Sequence, residues 1–133
     1  MTIKTCIPSQ AKADFLSGVH SLEDQYRLVL YSQKADLCDN AVFYTEKGEI
    51  SGKGYRQGGV SLKNPKVWVD RGAGALTFDS VTLANASITA HGYMIINASK
   101  ENRAVCIVDW GADYTSTAGP FHVRIASDQV VFD

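Results

Sequence analysis

ITAHGYMIINASKENRAVCIVDWGAD, residues 88–113, holds two apolar runs joined by a mostly polar five-residue turn, ASKEN. Runs of this length on either side of a short polar turn predict an antiparallel β-hairpin. Alternate residues of a strand share a face. On that rule Ile88, Ala90, Gly92, Met94 and Ile96 form one face of the first strand, and Thr89, His91, Tyr93, Ile95 and Asn97 the other. In the second strand Ala104, Cys106, Val108 and Trp110 oppose Arg103, Val105, Ile107 and Asp109. The wholly apolar set is expected to meet the core, with Cys106 as a small buried hydrophobe. His91 and Asp109 then share the opposite face. Pairing across the ASKEN turn brings His91 opposite Asp109 or Trp110, with side chains about 5 Å apart.

Outward from the hairpin the chain continues in short strands. YRLVLYS (26–32), AVFYT (41–45), GYRQGGVSL (54–62), KVWVD (66–70), ALTFD (75–79), FHVRIA (121–126) and QVVFD (129–133) all read as β, separated by turn residues. SQAKADFLSG predicts one short helix, with Ser9 as N-cap and Gly18 as the stop. Eight or nine strands with frequent turns predict an all-β fold, a β-sandwich that is jelly-roll-like. Residues 1–20 are expected to form an arm with the short helix, and 21–133 a single sandwich domain.

The 133 residues suffice for one domain with its own core. A net charge of −1 gives no general attraction for a polyanion, so no nucleic-acid partner is expected. Arg56, Lys63, Lys66 and Arg71 could form a basic edge beside Tyr55 and Trp68, but such residues more often serve as solvated faces that prevent unwanted strand pairing. Cys6, Cys38 and Cys106 have neither the number nor the spacing of a disulfide framework or zinc site. No window is apolar enough to span a membrane. Without a signal-like N-terminal run, synthesis and folding in a reducing cytoplasm are expected. The sequons at Asn85 and Asn97 then go unused.

Catalytic motifs are missing. GYRQGG is not a phosphate-binding loop, and Ser80, Ser87 and Ser116 lie in no nucleophile elbow. His20 and His122 stand in no ligand-spaced pair. Asp70, Asp79 and Asp109 at strand ends are explained equally by turns. No catalytic, cofactor or metal residue is assigned. What stands out is hydrophobicity on both faces. Ile95, Val105 and Ile107 lie opposite the expected core face, and YRLVLYS is apolar on both sides. The excess must be covered by the N-terminal segment or by another protein.

In order, KADFLSGVH, DQYRLVLYS, GKGYRQGGVSL, LANASITAHGYMIIN, NRAVCIVDWGAD and FHVRI resemble small virion proteins of tailed bacteriophages, over about residues 12–133. The resemblance extends to capsid decoration, or cement, proteins with jelly-roll folds. It implies a structural protein on the capsid exterior, made in the host cytoplasm and stabilising the lattice by binding the major capsid protein. A homo-oligomer, dimer or trimer, is expected, with no enzyme activity, cofactor, nucleic acid or membrane. Aromatic and arginine anchors dominate interfaces, which favours Phe15, Tyr93, Arg103 and Trp110 as contact residues. Two alternatives stay open: a tail-associated fibre, adaptor or receptor-binding protein, and a carbohydrate-binding or hydrolytic sandwich using His91 and Asp109.

Overall fold

A computed structural model describes residues 2–70 and 72–132. Its elements in chain order are α1 (Ser9–Leu16), β1 (Tyr26–Tyr31), β2 (Val60–Ser61), β3 (Lys66–Asp70), β4 (Ala73–Thr77), β5 (Val81–Asn97), β6 (Arg103–Val123) and β7 (Val130–Phe132). They form two antiparallel sheets, ordered β2-β1-β5-β6 and β3-β4-β7. The fold is all-β and sandwich-like, with one short N-terminal helix. Between the sheets lies a core that includes Leu28, Leu30, Leu76, Phe78, Tyr93, Ile95, Val105 and Val130.

The 88–113 hairpin is part of a longer one. β5 and β6 run together from Val81↔Val123 to Asn97↔Arg103. Its turn uses Asn97, whose Oδ1 accepts the Ser99 N–H at 3.0 Å, and positive φ at Glu101 and Asn102. The pairing is not uniform. Ala90 faces Tyr114 and Gly92 faces Asp109, so His91 alone spans Trp110–Asp113. A second irregularity sets Ile95 against Cys106 but Ile96 against Ala104, leaving Val105 extra. Bulges of this kind reset the alternation.

That reset corrects the expected faces. Ile88 and Ala90 point into the inter-sheet core, but beyond the first bulge so do Tyr93 and Ile95. Met94 and Ile96 join the opposite side instead. In β6, Val105 and Cys106 both enter the inter-sheet core, and Ala104 and Ile107 leave it.

The outer face of this sheet is a second core. Val29, Tyr31, Met94, Ile96, Ala104 and Ile107 are covered there by Ile3, Ala35 and Leu37. The N-terminal segment is held by backbone bonds on two sides. Lys4 N–H donates to Leu37 O at 2.8 Å, and Leu37 N–H to Thr2 O at 2.9 Å. Cys6 and Ile107 exchange a pair of bonds at 3.0 and 2.9 Å, which extends the sheet beyond β6. The chain thus supplies its own cover for the two-faced hydrophobicity of β1, β5 and β6. Each valine, leucine, isoleucine or methionine buried there contributes about 1.5–3 kcal/mol.

Other local expectations change. α1 starts at Ser9, with Pro8 at the cap position and no side-chain cap bond. The Ser9 N–H donates instead to Asp39 O at 3.0 Å. Gly18 does end the helix turn, at φ +79°. AVFYT is not a strand. It touches the edge of β6 through one bridge, Phe43↔Arg103. GYRQGGVSL shrinks to Val60–Ser61 because its glycines turn the chain. At Gly59 φ is +97°, and a Cβ would lie 2.5 Å from Leu28 O. Arg71, of the expected basic edge, and Asp133 fall outside the described residues.

Candidate functional site

The bulge that resets β5 also creates the most chemically suggestive cluster. His91 Nδ1 lies 2.7 Å from Asp113 Oδ1, and Nε2 lies 3.4 Å from Asp109 Oδ1. The expected neighbourhood of His91 and Asp109 is present, and Asp113 is the closer partner. The geometry follows from the sequence between the two aspartates. Gly111 adopts φ +74° and donates its N–H to Asp109 Oδ1 at 2.9 Å. This folds Trp110–Asp113 into a loop that returns the second carboxylate to the imidazole. Thr5 Oγ1 accepts the Asp109 N–H at 2.9 Å, so the arm buttresses the loop.

The three side chains share an open surface. Beside them Thr89 and Thr115 are joined at 2.9 Å, in a shallow hydroxyl-rich groove that continues through Ser87, Ser51 and Ser32. A carboxylate-flanked imidazole can orient or accept a proton, but catalysis also requires a nucleophile or activated water held against it. Among the described residues no hydroxyl or thiol is hydrogen-bonded to His91. Among the described residues no group of three His, Cys, Asp or Glu side chains is arranged to hold a metal ion.

A second feature is apolar. At one end of the sandwich the sheets part, leaving a cleft of about 250 Å³ bounded by Phe15, His20, Leu22, Tyr26, Leu76, Val130 and Phe132, with Val67 at its rim. Phe15 packs edge-on against Phe132, with ring centroids 5.3 Å apart. Much of the surrounding apolar surface faces solvent. Leu22 is 49% exposed, Val67 58% and Val69 80%, and Leu16 projects from the helix. Exposed apolar residues are common singly, but Leu22, Val67 and Phe132 line one cleft together.

Behind the cleft sits a buried polar network. Asn97 Nδ2 donates to Asp24 Oδ2 at 2.8 Å and to His20 Nδ1 at 3.0 Å. With Nδ1 accepting, the ring carries its proton on Nε2. That atom is buried, lies 4.0 Å from Asp14 Oδ2 and has no hydrogen-bond partner among the described residues. Burial therefore lowers the His20 pKa, against the opposing pull of Asp14 and Asp24. Burial tends to raise Asp24, but hydrogen bonds from Lys100 and Asn97 hold it below the ordinary carboxylate value. Lys100 Nζ reaches both Asp24 oxygens, at 2.8 and 2.9 Å.

The four expected contact residues lie in different settings. Phe15 lines the apolar cleft. Arg103 pairs with Asp14 at 3.4 Å and lies over the Phe43 ring, 5.3 Å from its centroid. Trp110 is half-buried in an aromatic group with Tyr93, Tyr114 and Phe121. Tyr93 itself is 2% exposed, and its hydroxyl donates to Gln129 Oε1 at 2.9 Å. Cys106 is buried as expected, which pushes its thiol up to about 12.

Sequence reasoning missed one unit entirely. Glu49 accepts hydrogen bonds from the Tyr44 and Tyr55 hydroxyls and from the Gly58 N–H. The Tyr55 hydroxyl also accepts the Leu30 N–H at 3.2 Å. Burial, reinforced by Glu49, raises the Tyr44 hydroxyl to about 12. Nothing in the spacing of these residues signals that they converge. Tyr55 is engaged by Glu49, and the Trp68 indole donates to Ser127 O at 2.8 Å.

Comparison with protein-family models, with curated proteins and with solved structures finds no match to this chain.

Proposed function

We propose that the protein is a structural component of a tailed-phage virion, a decoration protein that binds the outside of the head and stabilises the capsid lattice. The observation that carries the reading is the open apolar cleft at Phe15, Leu22, Tyr26 and Phe132, on a body whose other apolar sheet face is closed by its own N-terminal segment. The ordered sequence motifs described above support the virion setting. The major capsid protein is the partner for which the cleft is reserved, with a homo-oligomer on the shell and synthesis in the host cytoplasm. Binding only the mature lattice stabilises that lattice by mass action. Many modest contacts on one shell add through multivalency.

Gel densitometry of purified virions, with heads and tails separated, tests this. A 14.5 kDa band tracking heads at near-capsid copy number is the expected result. A faint band tracking tails would replace the reading with a tail-associated fibre, adaptor or receptor-binding part. Absence from both would remove the virion setting.

The His91–Asp109–Asp113 cluster favours a second reading, a carbohydrate-binding or hydrolytic sandwich. It requires saccharide binding or hydrolysis that His91→Ala abolishes. Retention of that activity in the variant would end it.

A further inference from the structure

β3 is an edge strand whose inner face outruns the body that should cover it. It pairs with β4 along one side, from Lys66↔Thr77 to Asp70↔Ala73, and its other side meets no strand among the described residues. Val67 and Val69 lie on the same face as buried Leu76 yet stay largely exposed. Natural edge strands are protected by proline, a bulge or an inward charge. Pro65 just before KVWVD and Lys66 at its start give such protection at one end only, and the stretch Val67–Val69 has none. The charges of KVWVD stand only at its two ends, Lys66 and Asp70.

That placement makes the strand complementary to itself. Set antiparallel to a second copy about Trp68, Lys66 stands opposite Asp70 and Val67 opposite Val69. Cross-strand pairs of opposite charge and of β-branched residues are both favourable. A slip of one residue would set an inner-face valine against the outer-face Trp68, which the pleat does not allow. A slip of two would lose both charge pairs. The sequence therefore specifies one register.

We propose that β3 pairs with β3 of a second copy about a two-fold axis through Trp68, joining two three-stranded sheets into one of order β7-β4-β3-β3-β4-β7. Such a contact is isologous and closes on itself, so it caps the edge without building a filament. It covers Val67 and Val69 with the same residues of the partner and sets the two apolar clefts side by side. The pairing gives the homo-oligomer of the assembly reading a defined contact. It requires no capsid, so it is tested on the isolated protein.

Sedimentation of the purified full chain over a concentration series should show a mass rising from 14.5 kDa toward twice that value. Lys66→Glu alone and Asp70→Lys alone each place two like-charged pairs across the axis and should weaken the dimer about tenfold or more. The double variant restores both pairs in reversed sense and should return to within about threefold of the original. Amide exchange at Val67–Val69 should slow as concentration rises. A monomer at every concentration overturns the proposal. So does a dimer indifferent to the single reversals, or one whose β3 amides exchange at an unchanged rate. Each of those outcomes leaves association with heads to be decided by the virion gel.

Discussion

Gly92 and Val108 approach so closely that a Cβ on Gly92 would stand 2.4 Å from the Val108 carbonyl oxygen. No side chain fits between the strands at that point, so the bulge that begins at His91 is tied to a glycine. Gly92→Ala must push β5 and β6 apart beside the core. A loss of about 1–3 kcal/mol is expected, as for other overpacked interiors. Chemical denaturation of the variant measures it.

Ile3 is 4% exposed and lies on Val29, Met94 and Ile107 through the second core. Ile3→Ala should cost about 2–5 kcal/mol, the range for emptying a buried aliphatic site. A cost below about 0.5 kcal/mol, the usual effect of a surface change, would mean that the arm does not hold this position in solution. Thermal unfolding of the two proteins decides between these.

The Tyr55 hydroxyl joins the Leu30 N–H to Glu49. Tyr55→Phe removes both bonds and leaves a buried strand donor without a partner. The expected loss is about 1–3 kcal/mol. Tyr44→Phe removes only one of the three bonds to Glu49 and should cost less, which makes the pair of variants a comparison within one site.

His20 titrates below its ordinary value because burial disfavours the imidazolium. A depressed folded pKa means that the unfolded chain binds the proton first. The stability that neutral His20 contributes is complete above about pH 6.5 and is lost as the pH falls from there through the lowered folded value. Asp24, also depressed, adds its own loss only at lower pH, beneath the ordinary carboxylate range. His20→Gln should flatten the first decline and leave the second. Denaturant midpoints measured from pH 7 to pH 3 separate the two.

His91→Ala removes two partly exposed contacts at the bulge, to Asp109 and Asp113. Exposed contacts of this kind contribute about 0–1 kcal/mol each, so the variant should fold and, under the proposed virion role, enter virions at the original copy number. Failure to enter virions, with folding intact, would place this surface in the capsid contact.

The sequence carried the fold class because strand length, turn residues and apolar runs are local signals. The 88–113 hairpin and the helix stop at Gly18 were readable for that reason. The faces were not. Period-two counting is sound only along an unbroken ladder, and the register shifts by an odd number both opposite His91 and at Val105, which exchanges the faces. Asp109 could be placed near His91 by counting from the turn. Asp113 could not, because the Trp110–Asp113 loop folds back through the positive φ of Gly111. AVFYT has the composition of a strand, but its partner edge offers it a single bridge. The Glu49 unit was invisible because Tyr44, Tyr55 and Gly58 meet it in space and share no spacing rule with it.

The arm that closes the second core also fixes when that core can close. Thr5 and the Asp109 backbone it caps are 104 residues apart in the chain, and Cys6 waits equally long for Ile107. During synthesis this segment leaves the ribosome long before the strands it pairs with, and is therefore among the last to find its place. Until then one side of β1 and β5 stays bare, with Val29, Tyr31, Met94 and Ile96 open to any neighbour. Contacts so distant in sequence slow folding, and exposed sheet surface is what chains aggregate through. A protein made in many copies at once would meet that hazard at every nascent chain. Faster production without folding assistance should raise the insoluble share before it raises the yield.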